Sequence, residues 1–153
     1  MNKPIKRHKA LQSFSHDHHH GLILAQLSKK SSPEYPHLPK SLGAKIEYAI
    51  SSFYDELVPH FRKEENILFP LVKGRNEKID ELINSILDEH KKIKSLVSLL
   101  DDTGSEEVLD EFGYLLESHI RKEERELFKL IQEELSEEEL ILLEKKLTRA
   151  DFI

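Results

Sequence analysis

The residues most able to do chemistry are histidines and glutamates that stand where a helix would ordinarily carry leucine. Two decapeptides show this best. His60-Phe-Arg-Lys-Glu-Glu-Asn-Ile-Leu-Phe69 and His119-Ile-Arg-Lys-Glu-Glu-Arg-Glu-Leu-Phe128 agree at seven of ten positions. In each copy a histidine and a glutamate lie four residues apart, on one helix face and within reach of the same ion or ion pair. Imidazole nitrogen and carboxylate oxygen are ligands for iron, manganese or zinc. A single His-x-x-x-Glu would read more simply as a surface pair, but two copies placed on apolar stripes point to metal. The neighbouring Glu65 and Glu124 point about 100° further round and are expected to face solvent.

The stripes show why burial is expected. The second helical pattern reads Leu42, Ile46, Ala49/Ile50, Phe53, Leu57, His60, Glu64, Ile67/Leu68 and Leu71. A later one reads Val108, Phe112, Leu115/Leu116, His119, Glu123, Leu127 and Leu130. Between them, Ile79, Ile83, Ile86, His90, Ile93, Val97 and Leu100 form a third stripe with His90 in its middle. Near the start, Leu11, Phe14, His18, Leu22 and Ala25 form a fourth. This spacing favours His18 within the cluster His16-Asp17-His18-His19-His20. His19 lies on the adjoining face as a second ligand or hydrogen-bond donor, and His16 and His20 stay open if the helix is rotated. The candidate metal ligands are therefore His18, His19, His60, Glu64, His90, His119 and Glu123.

Energetics argue for the same chemistry. An ionised carboxylate buried without partners costs several kcal/mol or more. Two of them beside four imidazoles would undo a domain whose net stability is about 5–15 kcal/mol. Bound cations compensate directly. The heights also match: His90 lies 13 residues before a turn centred near residue 103 and His119 lies 16 after it. At about 1.5 Å per residue, that difference is within one helical turn.

The elements that position these residues are four long helices and one short one. Periodicity places them at about 8–30, 40–72, 76–101 and 105–134, with a last helix near 137–147. Ser136 and Glu139 form a capping-box signature at the start of the last helix. The linkers 31–39, 73–76 and 101–104 carry Pro, Gly, Asn and Asp. Short connections between long helices imply antiparallel neighbours. The expected fold is thus all-α, an up-down-up-down four-helix bundle with a short extra C-terminal helix, one domain over residues 1–153. Pro59 falls inside the second helix and is expected to kink it just before His60.

Composition narrows the function classes. The chain of 153 residues has no cysteine, which excludes disulfides, thiolate metal sites and thiol catalysis. A net charge of −6, from 29 acidic and 23 basic side chains, disfavours a nucleic-acid binder. The basic stretch Met1 to Arg7 is followed by no apolar run, and nowhere is a run long enough to span a membrane. The expectation is a cytoplasmic protein without nucleic-acid or membrane partners. No phosphate-binding glycine loop or nucleophile motif points to an organic substrate.

On these motifs the sequence resembles the hemerythrin-like, or HHE cation-binding, domain family. The matching residues are Asp17-His18-His19, the His60 to Pro70 block, Glu89-His90 and the block His119-Ile-Arg-Lys-Glu123-Glu, from about residue 8 to 133. The resemblance implies two iron ions bridged by two carboxylates and an oxygen species, with terminal histidines, Glu64 and Glu123 being the bridges. Oxygen-carrying members place a second histidine where this chain has Lys94, and an aspartate where it has Glu123. The remaining set of about four His and two Glu is similar to di-iron proteins of iron–sulfur cluster repair and nitrosative stress, which add a cysteine-bearing region. The expected partner is a small diatomic molecule or peroxide (O2, NO or H2O2). The rival expectation is a non-catalytic iron-sensing module whose fold a partner protein reads. Lys94 is expected near the site as a charge.

Overall fold

The computed structural model describes residues 6–150 of the chain. Of the basic N-terminal stretch, residues 1–5 lie outside the described part. Helix α1 is Lys9–Ser28, and α2 covers residues 42–72. Helix α3 is Glu77–Thr103, α4 covers residues 106–134 and α5 is Glu137–Ala150. Side-chain caps hold most of the starts. His8 Nδ1 accepts from the Ala10 amide, Ser41 Oγ from Ala44, Asn76 Oδ1 from Lys78, and Ser105 Oγ from Val108. Before α5, Ser136 and Glu139 exchange reciprocal bonds at 3.2 Å, as the capping box predicts. Helix α3 ends at Gly104, whose φ of 61° is the left-handed conformation glycine adopts without strain.

Two apolar clusters reveal the topology. One gathers Leu11 and Phe14 of α1, Leu68 and Val72 of α2, Ile79 and Ile83 of α3, and Phe128 and Ile131 of α4. The other gathers Leu24 and Ala25, Phe53 and Leu57, Val97 and Leu100, and Leu109 and Phe112. Beginnings of α1 and α3 thus meet ends of α2 and α4, so successive helices run antiparallel around one core. Helix α5 lays Leu140, Leu143 and Leu147 across the first cluster and closes that end of the bundle. Between the clusters lies a layer of buried polar side chains, where every stripe is interrupted. Among the described residues, no helix is long and apolar enough to cross a membrane.

Helices α1 and α4 approach most closely where glycine permits it. A Cβ on Gly113 would lie 2.7 Å from the Ala25 carbonyl oxygen, and one on Gly21 would lie 2.7 Å from the Ile120 side chain. A backbone oxygen has little room to yield, so α1 sits where it does because position 113 has no side chain.

Helix α2 continues through Pro59, but it is not uniform. The α-helical segment Leu42–Ser52 passes into a π turn, Phe53–Leu57, then α-helical Val58–Lys63, a second π turn, Glu64–Leu68, and Phe69–Val72. Helix α4 carries a π turn at Glu123–Leu127. Each π turn inserts one residue relative to α-helical register. This corrects two stripe assignments. At the far end of the second stripe Val72 is fully buried where Leu71 was expected, Leu71 being only partly buried; at the end of the fourth, Ile131 is buried and Leu130 only partly so.

Candidate metal centre

The middle of the bundle holds His18 from α1, His60 and Glu64 from α2, His90 from α3, and His119 and Glu123 from α4. All six are buried, and the two glutamates are 0 % exposed. Their ligand atoms fall into two groups that share both carboxylates. His18, His60, Glu64 and Glu123 form one, and Glu64, His90, His119 and Glu123 the other, with the atoms of each group within 4.8 Å of one another. Glu64 Oε1 lies 3.3 Å from the Nε2 atoms of both His60 and His90. Glu123 turns Oε2 to His18 Nε2 at 3.0 Å and Oε1 to His119 Nε2 at 2.9 Å. The spacing of four within each decapeptide brings His and Glu together in both helices. The π turn starts at the glutamate, whose carbonyl oxygen accepts from the amide five residues on, Phe69 or Phe128.

The outer nitrogen of every imidazole is tied to a carboxylate on a neighbouring helix. Asp17 of α1 bonds His60 Nδ1 at 3.0 Å, and Glu65 of α2 bonds His90 Nδ1 at 3.2 Å. Glu89 of α3 bonds His119 Nδ1 at 2.9 Å, and Glu124 of α4 bonds His18 Nδ1 at 2.8 Å. The four links pass from each helix to the next and close on the first. Each acid sits next in sequence to an inward-facing residue: Asp17 to His18, Glu65 to Glu64, Glu89 to His90, Glu124 to Glu123. A carboxylate accepting from Nδ1–H fixes the ring and leaves the Nε2 lone pair facing the centre.

That orientation makes the layer unstable by itself. Both oxygens of Glu64 and of Glu123, and the Nε2 atoms of His90 and His119, make no hydrogen bond of good geometry, although several of them approach one another or a facing imidazole at 2.9–3.3 Å. The Nε2 atoms of His18 and His60 face each other at 3.1 Å, although both rings already give their Nδ1 side to carboxylates. Converging lone pairs and orphaned buried oxygens are the donor set that cations require. Nitrogen and carboxylate donors in two groups with shared carboxylates fit a pair of metal ions.

Without a cation the protons must compensate. Burial, reinforced by the negative charge of Glu123, pushes the Glu64 carboxyl up to about 8. Burial opposes charge on His119, but Glu123 and Glu89 outweigh it and carry the imidazole up to about 10. Burial likewise opposes ionisation of Glu123, yet His119 and His18 hold that carboxyl well below its ordinary range. The His18 imidazole is raised because Glu123 and Glu124 outweigh its desolvation.

Aromatic rings wall the layer. Phe61 stacks on His90 with centroids 3.8 Å apart, Phe128 stacks on His18 at 5.4 Å, and Phe14 meets His60 edge-on at 5.5 Å. Phe61 follows His60 directly, so its place against the layer gives no spacing signal in the sequence.

The structure places the remaining sequence candidates elsewhere. His19 is exposed and turned out of the layer, as are His16 and His20. Lys94 is exposed on the outer side of α3, beside His90 and Glu65 but not within the polar layer. Glu65 and Glu124, expected in solvent, instead reach back to imidazoles. Glu65 is exposed and Glu124 half-buried, so their stems follow the helix surface as expected while their carboxylates turn inward.

A family model, the hemerythrin HHE cation-binding domain, matches residues 9–131, and the chain belongs to this family. No curated protein and no solved structure matches it.

Proposed function

We propose that this HHE-domain chain is a non-haem di-iron protein that binds or senses a small diatomic molecule or a peroxide, O2, NO or H2O2, in oxidative or nitrosative stress or in iron handling. His18 and His60 would hold one iron, His90 and His119 the other, and Glu64 and Glu123 would bridge them. The observation that carries this reading is the sharing of two buried carboxylates, without hydrogen bonds of good geometry, between two groups of histidines. Iron, when bound, supplies open coordination positions and one-electron redox chemistry toward such ligands.

The chain's own residues do the rest. Asp17, Glu65, Glu89 and Glu124 fix the four rings with Nε2 toward the centre, so the rings need not turn when a cation displaces the protons held there. Lys122 Nζ bonds the second oxygen of Glu89 at 2.6 Å, which keeps that carboxylate ionised and aimed at His119. Phe14, Phe61 and Phe128 lower the polarity around the layer, which strengthens charge interactions within it. Six protein ligands over two ions leave positions for an exogenous molecule.

The test is optical. Protein loaded with iron and reduced without air should change its visible spectrum when O2 or NO is added. An unchanged spectrum with two irons bound per chain would overturn the small-ligand reading.

A further inference from the structure

A buried layer that takes up cations needs a route from solvent. A cavity of about 300 Å3 lies between α1, α2 and α4, and its lining runs from exposed His16 and His20 down to His60 and His119. At its floor the His119 side chain is 1 % exposed, and its Nε2 makes no hydrogen bond of good geometry. At its mouth His16 and His20 stand one helical turn apart, with ring centroids separated by 5.0 Å. Asp55 and Glu56, both exposed in the first π turn of α2, line the same cavity. None of these four belongs to the polar layer, and the small-ligand function uses none of them.

We infer that the His16–His20 pair forms a loading site, where a divalent cation binds transiently before it passes to His60 and His119, while Asp55 and Glu56 of the same cavity lining attract the cation by their charge rather than as grouped ligands. Imidazoles at i,i+4 share one helix face and can bind one ion between them. Asp55 and Glu56 add negative charge, and with Asp17 they outnumber Lys63, the basic side chain of the lining. A neutral O2, NO or H2O2 molecule gains little from such a mouth, whereas a cation is drawn to it. Ligand type is also continuous along the path, imidazole at the mouth and imidazole at the floor, so a travelling ion exchanges like for like. Exposure keeps the mouth site weak in high dielectric, which suits transfer to the desolvated groups below. No electron is exchanged: metal–ligand bonds form at the centre as the protons held there by His119 and Glu64 leave to solvent.

The inference rests on the metal-centre reading, and one experiment separates the two. Metal-free full-length protein is mixed with cobalt(II), whose visible bands report arrival in the centre without oxidation. The comparison is between wild type, the double variant His16→Ala/His20→Ala, and the double variant Asp55→Asn/Glu56→Gln. All four side chains are exposed, so both variants should keep wild-type helicity and melting temperature. Both should load at least tenfold more slowly and still reach the wild-type cobalt content. The wild-type rate should saturate with cobalt concentration, as binding before transfer requires, while the His16→Ala/His20→Ala rate stays linear. Loading at the wild-type rate in either variant would overturn the loading site. A lower final content would also overturn it, by making the mouth part of the permanent centre. Wild-type protein that takes up no cobalt would refute the metal centre itself.

Discussion

Replacing Glu64 by methionine should change the stability of the metal-free and metal-loaded protein in opposite directions. Glu64 is 0 % exposed, and neither of its oxygens makes a hydrogen bond of good geometry. Its carboxyl is moved from an ordinary 4.5 up to about 8, chiefly by burial and then by Glu123. At neutral pH the metal-free fold therefore keeps a proton there that the unfolded chain would release. At about 1.4 kcal/mol for each tenfold step in proton concentration between 4.5 and 7, that costs about 3 kcal/mol. Methionine has similar length and no charge, and it can pack beside Leu68, His60 and His90. For a chain of this size, recovering most of that cost should raise the metal-free melting temperature by about 5–10 °C. With metal the sign reverses, because a ligand common to both groups is gone and the stabilisation by bound cations falls. Thermal unfolding followed by circular dichroism, with and without excess chelator, measures both arms. If Glu64→Met lowers the metal-free melting temperature like an ordinary core substitution while metal content stays at the wild-type value, Glu64 is a structural residue and the reasoning is wrong.

Other consequences follow from the same geometry. Glu89→Gln should leave the helices intact but weaken metal binding about 10–100-fold, because His119 loses its ionised Nδ1 partner; competition against a coloured chelator gives the affinity, and an unchanged value would remove Glu89 from the account. The metal-free protein should melt lower at pH 9 than at pH 6. Glu64 and His119 both have folded pKa values raised above their ordinary 4.5 and 6.5, so the folded state binds more protons than the unfolded one across this range and loses stability as pH rises. A melting temperature that climbs from pH 6 to pH 9 would contradict those protonation states. Gly113→Ala should destabilise the fold by about 1–3 kcal/mol in chemical denaturation, since its Cβ meets the Ala25 carbonyl oxygen at 2.7 Å; a neutral result would mean α1 and α4 separate without cost.

The helices and the inward-facing residues were legible because burial leaves a period in the sequence. Helix α3 shows this most fully: all seven residues of its predicted stripe, from Ile79 to Leu100 through His90, are buried. His18 was distinguished from His19 by the same logic, and their burial differs in that sense. Periodicity fails where the helix changes pitch. The π turns after Glu64 and Glu123 moved burial from Leu71 to Val72 and from Leu130 to Ile131, and no residue in either segment announces the extra amide. The orienting acids were hidden for a different reason. Glu65 and Glu124 have stems on the helix flank, where the hydrophobic pattern expects solvent, but a glutamate is long enough to bring its carboxylate back to the next helix. The sequence does carry a signal for them: every inward-facing member of the layer except His60 and His119 has an acid beside it, and those acids serve the histidines of the next helix. Lys94 is exposed on the outer side of α3, and after His90 the buried stripe continues through Ile93 and Val97 instead.

Metal content per chain tests the central claim most directly. Protein expressed in iron-replete medium, desalted and measured by elemental analysis alongside protein concentration should hold two iron ions per chain, and Glu123→Met should hold fewer than one. Wild-type protein with less than one metal ion per chain, and unchanged melting with chelator present, would mean that the buried His and Glu layer stands on protons alone.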